Sequence, residues 1–282
     1  MRKFQSILLI MIAGILFLCA LTACSGNQDD ASTTATTVVA PPPTQSLTIV
    51  PRPEKLVEMM KQPDEVRPVV KITTPEDNHA ISGPTVRVKV NLSGVQSNLQ
   101  SERGIHLHLI LDNEPYEDHY DVAQPFEFKN VAAGRHTLRV FAARPWHESY
   151  KNQDAFQIVR FTVKDGADAI DRSQGAPAEI ELSQPLLTYN SPNGKYKGAE
   201  ADPIMLDFWL SNAKLKGDGG QFRLRYIIDD DEPRYIDKWE PVWLSGWIDG
   251  KHTVRLELVG PDDWPFKNGD FNITTHEITV EK

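Results

Sequence analysis

His106 and His108 stand two apart in a run that alternates as Ile105-His106-Leu107-His108-Leu109. On a strand, that spacing puts both imidazoles on one face, close enough for a single metal ion to bridge them. Leu107, Leu109 and Leu111 take the inward parity, which predicts that both histidines face solvent. Glu117, Asp118 and His119 in the following connection are further ligand candidates. Against a metal stand Arg139, expected on the same sheet face, and Arg223 and Arg225, which hold the matching places in a second copy of the pattern. The reading adopted is a solvated face with no metal; the competing reading is a periplasmic metal-binding protein using His106 and His108.

Three other groups invite a chemical reading. Trp209 and Trp243, with Met205, fall outward by parity on strands expected to be neighbours, an apolar patch fit either to dock another part of the chain or to grip a partner protein or sugar. Two aromatic turns, 144–152 with Trp146, His147, Glu148 and Tyr150, and 260–268 with Trp264 and Phe266, serve either as binding loops or as caps on the ends of a sandwich. The acidic runs Asp229-Asp230-Asp231-Glu232 and Asp262-Asp263 lack the ligand spacing and glycine of a calcium loop and read as solvated turns. No Gly-x-Ser-x-Gly, phosphate-cradling loop or His-Glu-x-x-His occurs, so the sequence calls for neither catalysis nor a cofactor.

The elements that position these residues repeat. Pro125 to Phe141, PFEFKNVAAGRHTLRVF, has a second copy in Pro241 to Glu257, PVWLSGWIDGKHTVRLE. Each reads as two alternating strands joined through a glycine-containing connection. Around them the apolar parity also repeats: Val86, Val88, Val90 and Leu92 against Ile204, Leu206, Phe208 and Leu210, then Leu107, Leu109 and Leu111 against Leu224, Tyr226 and Ile228. In the last strand of each copy the parity shifts, between Ile158 and Phe161 and between Ile273 and Ile278, which predicts a bulge in each. Short alternating strands without a convincing internal helix predict an all-β chain of two tandem antiparallel sandwiches, at 67–164 and 183–282, joined by an acidic linker at 165–182.

Gly134-Arg135-His136-Thr137-Leu138 and Gly250-Lys251-His252-Thr253-Val254 resemble the Gly-x-His-Thr-Leu stretch of bacterial immunoglobulin-like domains, and that resemblance implies immunoglobulin-like sandwiches. His136 and His252 share the parity of core residues and are expected to pack and to bond backbone.

Ahead of the sandwiches, residues 1–23 combine Arg2 and Lys3, an apolar run Ile7 to Ala20 and the small-residue end Leu21-Thr22-Ala23 before Cys24. Leu21-Thr22-Ala23-Cys24 resembles the lipobox of bacterial lipoproteins, which implies lipidation of Cys24, palmitate included, after removal of 1–23. Ser25 suits export to an outer membrane within the same resemblance. Removal leaves 28 basic against 39 acidic residues, a formal charge of −11 that repels nucleic acid. Cys19 lies in the signal, so no disulfide, thiolate nucleophile or cysteine zinc site is available to the mature chain. Residues 24–66, rich in Ser, Thr and Pro, predict a disordered tether, spanning on the order of 30 Å as a coil and about 90 Å stretched to Pro53, with a short helix over 53–62 as a packing lid.

Taken together, these features predict a non-catalytic, lipid-anchored envelope protein whose partners are the membrane and an envelope protein or surface polysaccharide. Cys24→Ser is expected to abolish metabolic labelling of the protein by a radioactive or clickable fatty acid; undiminished labelling would remove the lipobox reading.

Overall fold

Alternation of apolar and polar residues builds both sandwiches on one plan. The computed structural model describes residues 45–60, 66–95, 104–164 and 180–282. The signal segment, Cys24, the tether up to residue 44 and linker residues 165–179 lie outside the described residues. In the first sandwich, β2 (Val69–Thr74), β4 (Val86–Ser93) and β7 (Phe126–Phe128) form one sheet. The facing sheet has the order β3 (His79–Ser82), β9 (Phe156–Lys164), β8 (Gly134–Ala143), β5 (His106–Leu111) and β6 (Glu117–His119).

The second sandwich repeats this arrangement. β10 (Leu186–Ser191), β12 (Ile204–Ser211) and β15 (Val242–Ser245) form one sheet. β11 (Gly194–Lys197), β17 (Ile273–Glu281), β16 (Gly250–Val259), β13 (Arg223–Ile228) and β14 (Arg234–Ile236) form the other. Pairing is antiparallel except that β3 runs parallel to β9 and β11 parallel to β17, so the first edge of each unit switches sheets. The chain is all-β, two tandem immunoglobulin-like antiparallel sandwiches. Val86, Val88, Leu107, Leu109, Leu138 and Val140 fill the first core; Leu206, Phe208, Leu224, Tyr226, Leu256 and Trp247 fill the second.

The repeated histidines are tied the same way in both copies. His136 joins Asp112 (2.8 Å) to the Ala132 carbonyl (2.8 Å), and His252 joins Asp229 (2.6 Å) to the Ile248 carbonyl (2.9 Å). Asp112 and Asp229 also accept from the amides of Thr137 and Thr253, so Asp229 of the acidic run is a turn clamp rather than a freely solvated group.

Several expectations are corrected. The last strands carry no bulge: β8 with β9, and β16 with β17, stay in register throughout. Val159, Phe161 and Val163 keep the core parity, and Ile158 is apolar because it packs outward on Ile180, Leu186 and Phe271. In β17 the core-facing places at Thr274 and His276 are polar, which mimics a shift. The register shifts occur instead in the first strands, between Ile72 and Thr74 and between Tyr189 and Ser191. Ile180, at the end of the linker, is buried.

The described part of the tether is not unstructured up to Pro53. Residues Thr48–Val50 form β1, which pairs with β15 and extends the second sandwich, not the first. Leu47 enters the second core, and Gly246, at φ 107°, gives room for the Ser46 carbonyl that a Cβ there would strike. The short helix exists as α1 (Glu54–Met60), but it buries no residue and is no lid, because Met59 and Val57 face solvent.

A solvated sheet face should alternate buried and exposed residues. Instead β5, β8, β10 and β12 are buried almost end to end. The outer face of the first sandwich's larger sheet packs on the outer face of β10 and β12. Trp209 on β12 stacks on Phe156 of β9 (5.1 Å, 10°) and meets Trp239 edge-on. Arg139 on β8 donates to Thr188 Oγ1 (3.1 Å) and the Leu187 carbonyl (3.3 Å) on β10. At the centre lies Asp207, buried, accepting from Ser149 N (2.9 Å) and Oγ (2.7 Å), Asn190 Nδ2 (2.6 Å) and Lys151 Nζ (2.7 Å).

Burial alone would raise the Asp207 pKa; the Lys151 ammonium and the Ser149 donors override it and hold the carboxyl below its ordinary value. A depressed folded pKa means stability that is present above the unfolded value near 4 and lost as pH falls through the folded one. Lys151→Met is expected to cost about 3–5 kcal/mol at neutral pH. Urea midpoints should show the gap to the parent protein narrowing below about pH 4.

Candidate metal centre

The turn after β5 sends β6 back antiparallel, and the register sets Asp118 directly opposite His108. On its other side β5 pairs with β8, where His106 lies opposite Ala143, the last residue before the loop from Arg144. That loop closes on itself: Arg144 N bonds the Glu148 carbonyl (2.8 Å) and His147 N the Arg144 carbonyl (2.8 Å). The closure needs His147 in the left-handed region, at φ 65°, and it turns the His147 ring back over β5.

Four donor atoms converge. His106 Nε2, His108 Nε2, His147 Nδ1 and Asp118 Oδ1 lie within 4.8 Å of one another. Their separations are 3.0 Å between the first two, 3.2 Å from each of these to His147, and 3.3, 3.2 and 3.4 Å from the three imidazoles to the carboxylate. Four points so spaced form a nearly regular tetrahedron. Its centre stands about 2.0 Å from each corner, the bond length of a tetrahedral zinc ion to nitrogen or carboxylate oxygen.

The opposite ring nitrogens settle where the protons are. His106 Nδ1 lies 3.0 Å from the Gly104 carbonyl, which only accepts, so Nδ1 donates. His108 Nδ1 lies 2.7 Å from Asn190 Oδ1, and the Asn190 amide nitrogen is committed to the His147 carbonyl (2.7 Å) and Asp207 (2.6 Å), so Nδ1 donates there too. Burial pushes the His108 pKa down to about 4, so the ring is neutral at pH 7 and its Nε2 bears a lone pair. His106 Nε2 and His108 Nε2 thus face each other as two lone pairs 3.0 Å apart, with the Asp118 carboxylate 3.3 and 3.2 Å away, and one shared proton relieves only one of these contacts. A central cation relieves all of them.

Aromatic walls enclose the cluster. Tyr116 stacks on His108 (3.7 Å, 11°), Tyr120 stacks on His106 (4.3 Å, 21°), and Phe141 closes against His108 (5.2 Å). His106 and His108 are buried, while Asp118 and His147 keep about a third of their side chains in contact with solvent. The expectation of a solvated His-x-His face is therefore overturned: parity identified the outer face of the sheet, but the second sandwich and the two tyrosines cover it. His119 takes the core parity and bonds the Gln124 carbonyl (3.0 Å), and Glu117 is exposed; neither reaches the cluster. Arg139 and the arginines of the second copy do not oppose a cation here, since Arg139 is spent on Asn113 and β10.

No family's sequence profile matches the chain, and no curated protein matches it. Among solved structures, it is similar to the fibronectin(III)-like modules of CbhA from Clostridium thermocellum, at 12% identity and TM-score 0.26, over 76% of this chain and 94% of that one. The D00-D0 domain of intimin gives 9% identity and TM-score 0.22 over 76% and 100%, and the Bacteroides ovatus mixed-linkage glucan protein SGBP-B gives 9% and 0.25 over 75% and 47%.

The remaining candidate residues divide. Met205, Trp209 and Trp243 are buried, so they do not form the outward binding patch that parity suggested. In the first aromatic turn, Tyr150 packs into the first core, and Glu148 is buried between Arg52 (3.2 Å) and Trp146 Nε1 (2.8 Å), so both hold the loop rather than present it. In the second, Phe266 caps the core against Phe222 (5.5 Å), while Trp264 is 73% exposed. Trp209→Ala is expected to cost about 3–5 kcal/mol and Trp264→Ala less than about 0.5 kcal/mol, read as shifts in denaturant midpoint.

Proposed function

We propose that this chain is a non-catalytic metal-binding protein, holding one zinc-class divalent ion per chain through His106, His108, His147 and Asp118. The observation that carries the reading is the pair of Nε2 atoms 3.0 Å apart, each with its partner nitrogen already donating elsewhere. Three imidazoles and one carboxylate suit zinc or cobalt(II). Calcium and magnesium prefer six or more oxygen ligands, and copper(II) and nickel(II) favour square-planar arrangements over a tetrahedron. Four protein donors fill a tetrahedron and leave no position for a metal-bound water, which favours a binding or structural role over hydrolysis.

The same proposal places the protein in the cell envelope. Its lipid-modified Cys24 would anchor it on the extracytoplasmic side, at the outer membrane where the cell has one, and its net negative charge disfavours nucleic acid. An exported site built without thiolates keeps its affinity in an oxidising compartment. Of the surfaces offered for an envelope protein or polysaccharide, Trp264 is the aromatic left in solvent.

Zinc titration against a chelating dye is expected to give one saturable site tighter than micromolar, and cobalt(II) the intense visible absorption of a tetrahedral complex. His108→Ala and Asp118→Ala should abolish both, with Trp264→Ala unchanged. Absence of a saturable site in the parent protein at micromolar zinc would remove the reading.

A further inference from the structure

Every donor atom of the cluster comes from the first sandwich, yet the hydrogen-bond acceptor behind His108 comes from the second. Asn190 lies on β10, 82 residues further along the chain, and three bonds fix its amide. Oδ1 accepts from His108 Nδ1 at 2.7 Å, and Nδ2 donates to the His147 carbonyl at 2.7 Å and to Asp207 Oδ2 at 2.6 Å. One side chain thus holds two of the four donor residues, one by its ring and one by its backbone. Asp207 then returns to the first sandwich through Ser149 and Lys151, two and four residues beyond His147. Asn190 and Asp207 are both fully buried.

We propose, building on the metal reading, that Asn190 is a positioning residue for the centre, and that metal binding and the docking of the two sandwiches are therefore one linked equilibrium. The acceptor behind a ligating imidazole fixes its tautomer and orientation, and losing such a group costs about 10–100-fold in metal affinity. If the acceptor is present only when the sandwiches are docked, affinity is high only in the docked state. By thermodynamic reciprocity, the metal then favours docking by the same factor. The second sandwich supplies no ligand and still belongs to the site. β10 is the place to read this, because it is an edge strand of its sheet and carries Asn190 into the seam with the first sandwich.

The test uses the full-length protein with zinc as the probe. Dissociation constants for the parent, Asn190→Ala and Asn190→Ser come from chelator competition, and amide hydrogen exchange across β10 is compared with zinc and with chelator. The expected results are affinity weakened about 10–100-fold in both variants and exchange at Leu186–Ser191 slowed by zinc in the parent by a similar factor. The exchange comparison needs no variant, so it stands even if Asn190→Ala does not fold. Parent-like zinc affinity in a folded variant, or zinc protection confined to the first sandwich with β10 unchanged, would overturn the linkage while leaving the metal site intact. A parent protein that takes up no zinc would overturn the metal reading itself, and the linkage with it.

Discussion

The docking of one sheet face on another, around the Asp207 carboxylate, is the interaction on which the rest of the structure depends. Asp207 carries no solvent-exposed surface, so its charge has to be met inside, and the loop from Arg144 to Asn152 meets it with an ammonium, a hydroxyl and an amide. Meeting that charge fixes the loop, and the fixed loop carries His147 over β5. The apolar contacts around it, Trp209 on Phe156 and Ile158 on Leu186 and Phe271, bury the seam. Buried polar groups need partners, and Asn190 is committed at both ends of its amide.

Strand periodicity made the two sandwiches and their cores legible, because a two-residue period separates one face of a strand from the other. It says nothing about what later covers the second face. Parity assigns His106, His108, Met205, Trp209 and Trp243 to the outer face of their sheets, and each is buried there. A trace of the docking was visible: Phe141 and Ile110 sit at outward parity, which a solvated face would fill with polar groups. The bulge expected in β9 failed for the same reason, since Ile158 answers to the seam and not to a shift in register; in β17 the polar residues Thr274 and His276 at core-facing places mimic one.

The metal cluster was about half legible. The His-x-His pair follows from spacing, and Asp118 follows if the turn after β5 is short enough to bring β6 straight back. His147 does not follow, because its place depends on a left-handed backbone residue in a loop whose aromatics otherwise suggest capping. Asn190 depends on the arrangement of two domains, which local pattern does not encode.

The entry of β1 into the second sandwich gives the chain a mechanical order. A pull on the N-terminal end reaches a three-residue strand on β15 before it reaches any residue of the first sandwich. Load is taken first at Leu47 and the edge of β15, and the first sandwich feels it only after that strand has peeled away. The histidine cluster thus sits behind a mechanical fuse, shielded from tension on the N-terminal end by the domain that follows it in sequence.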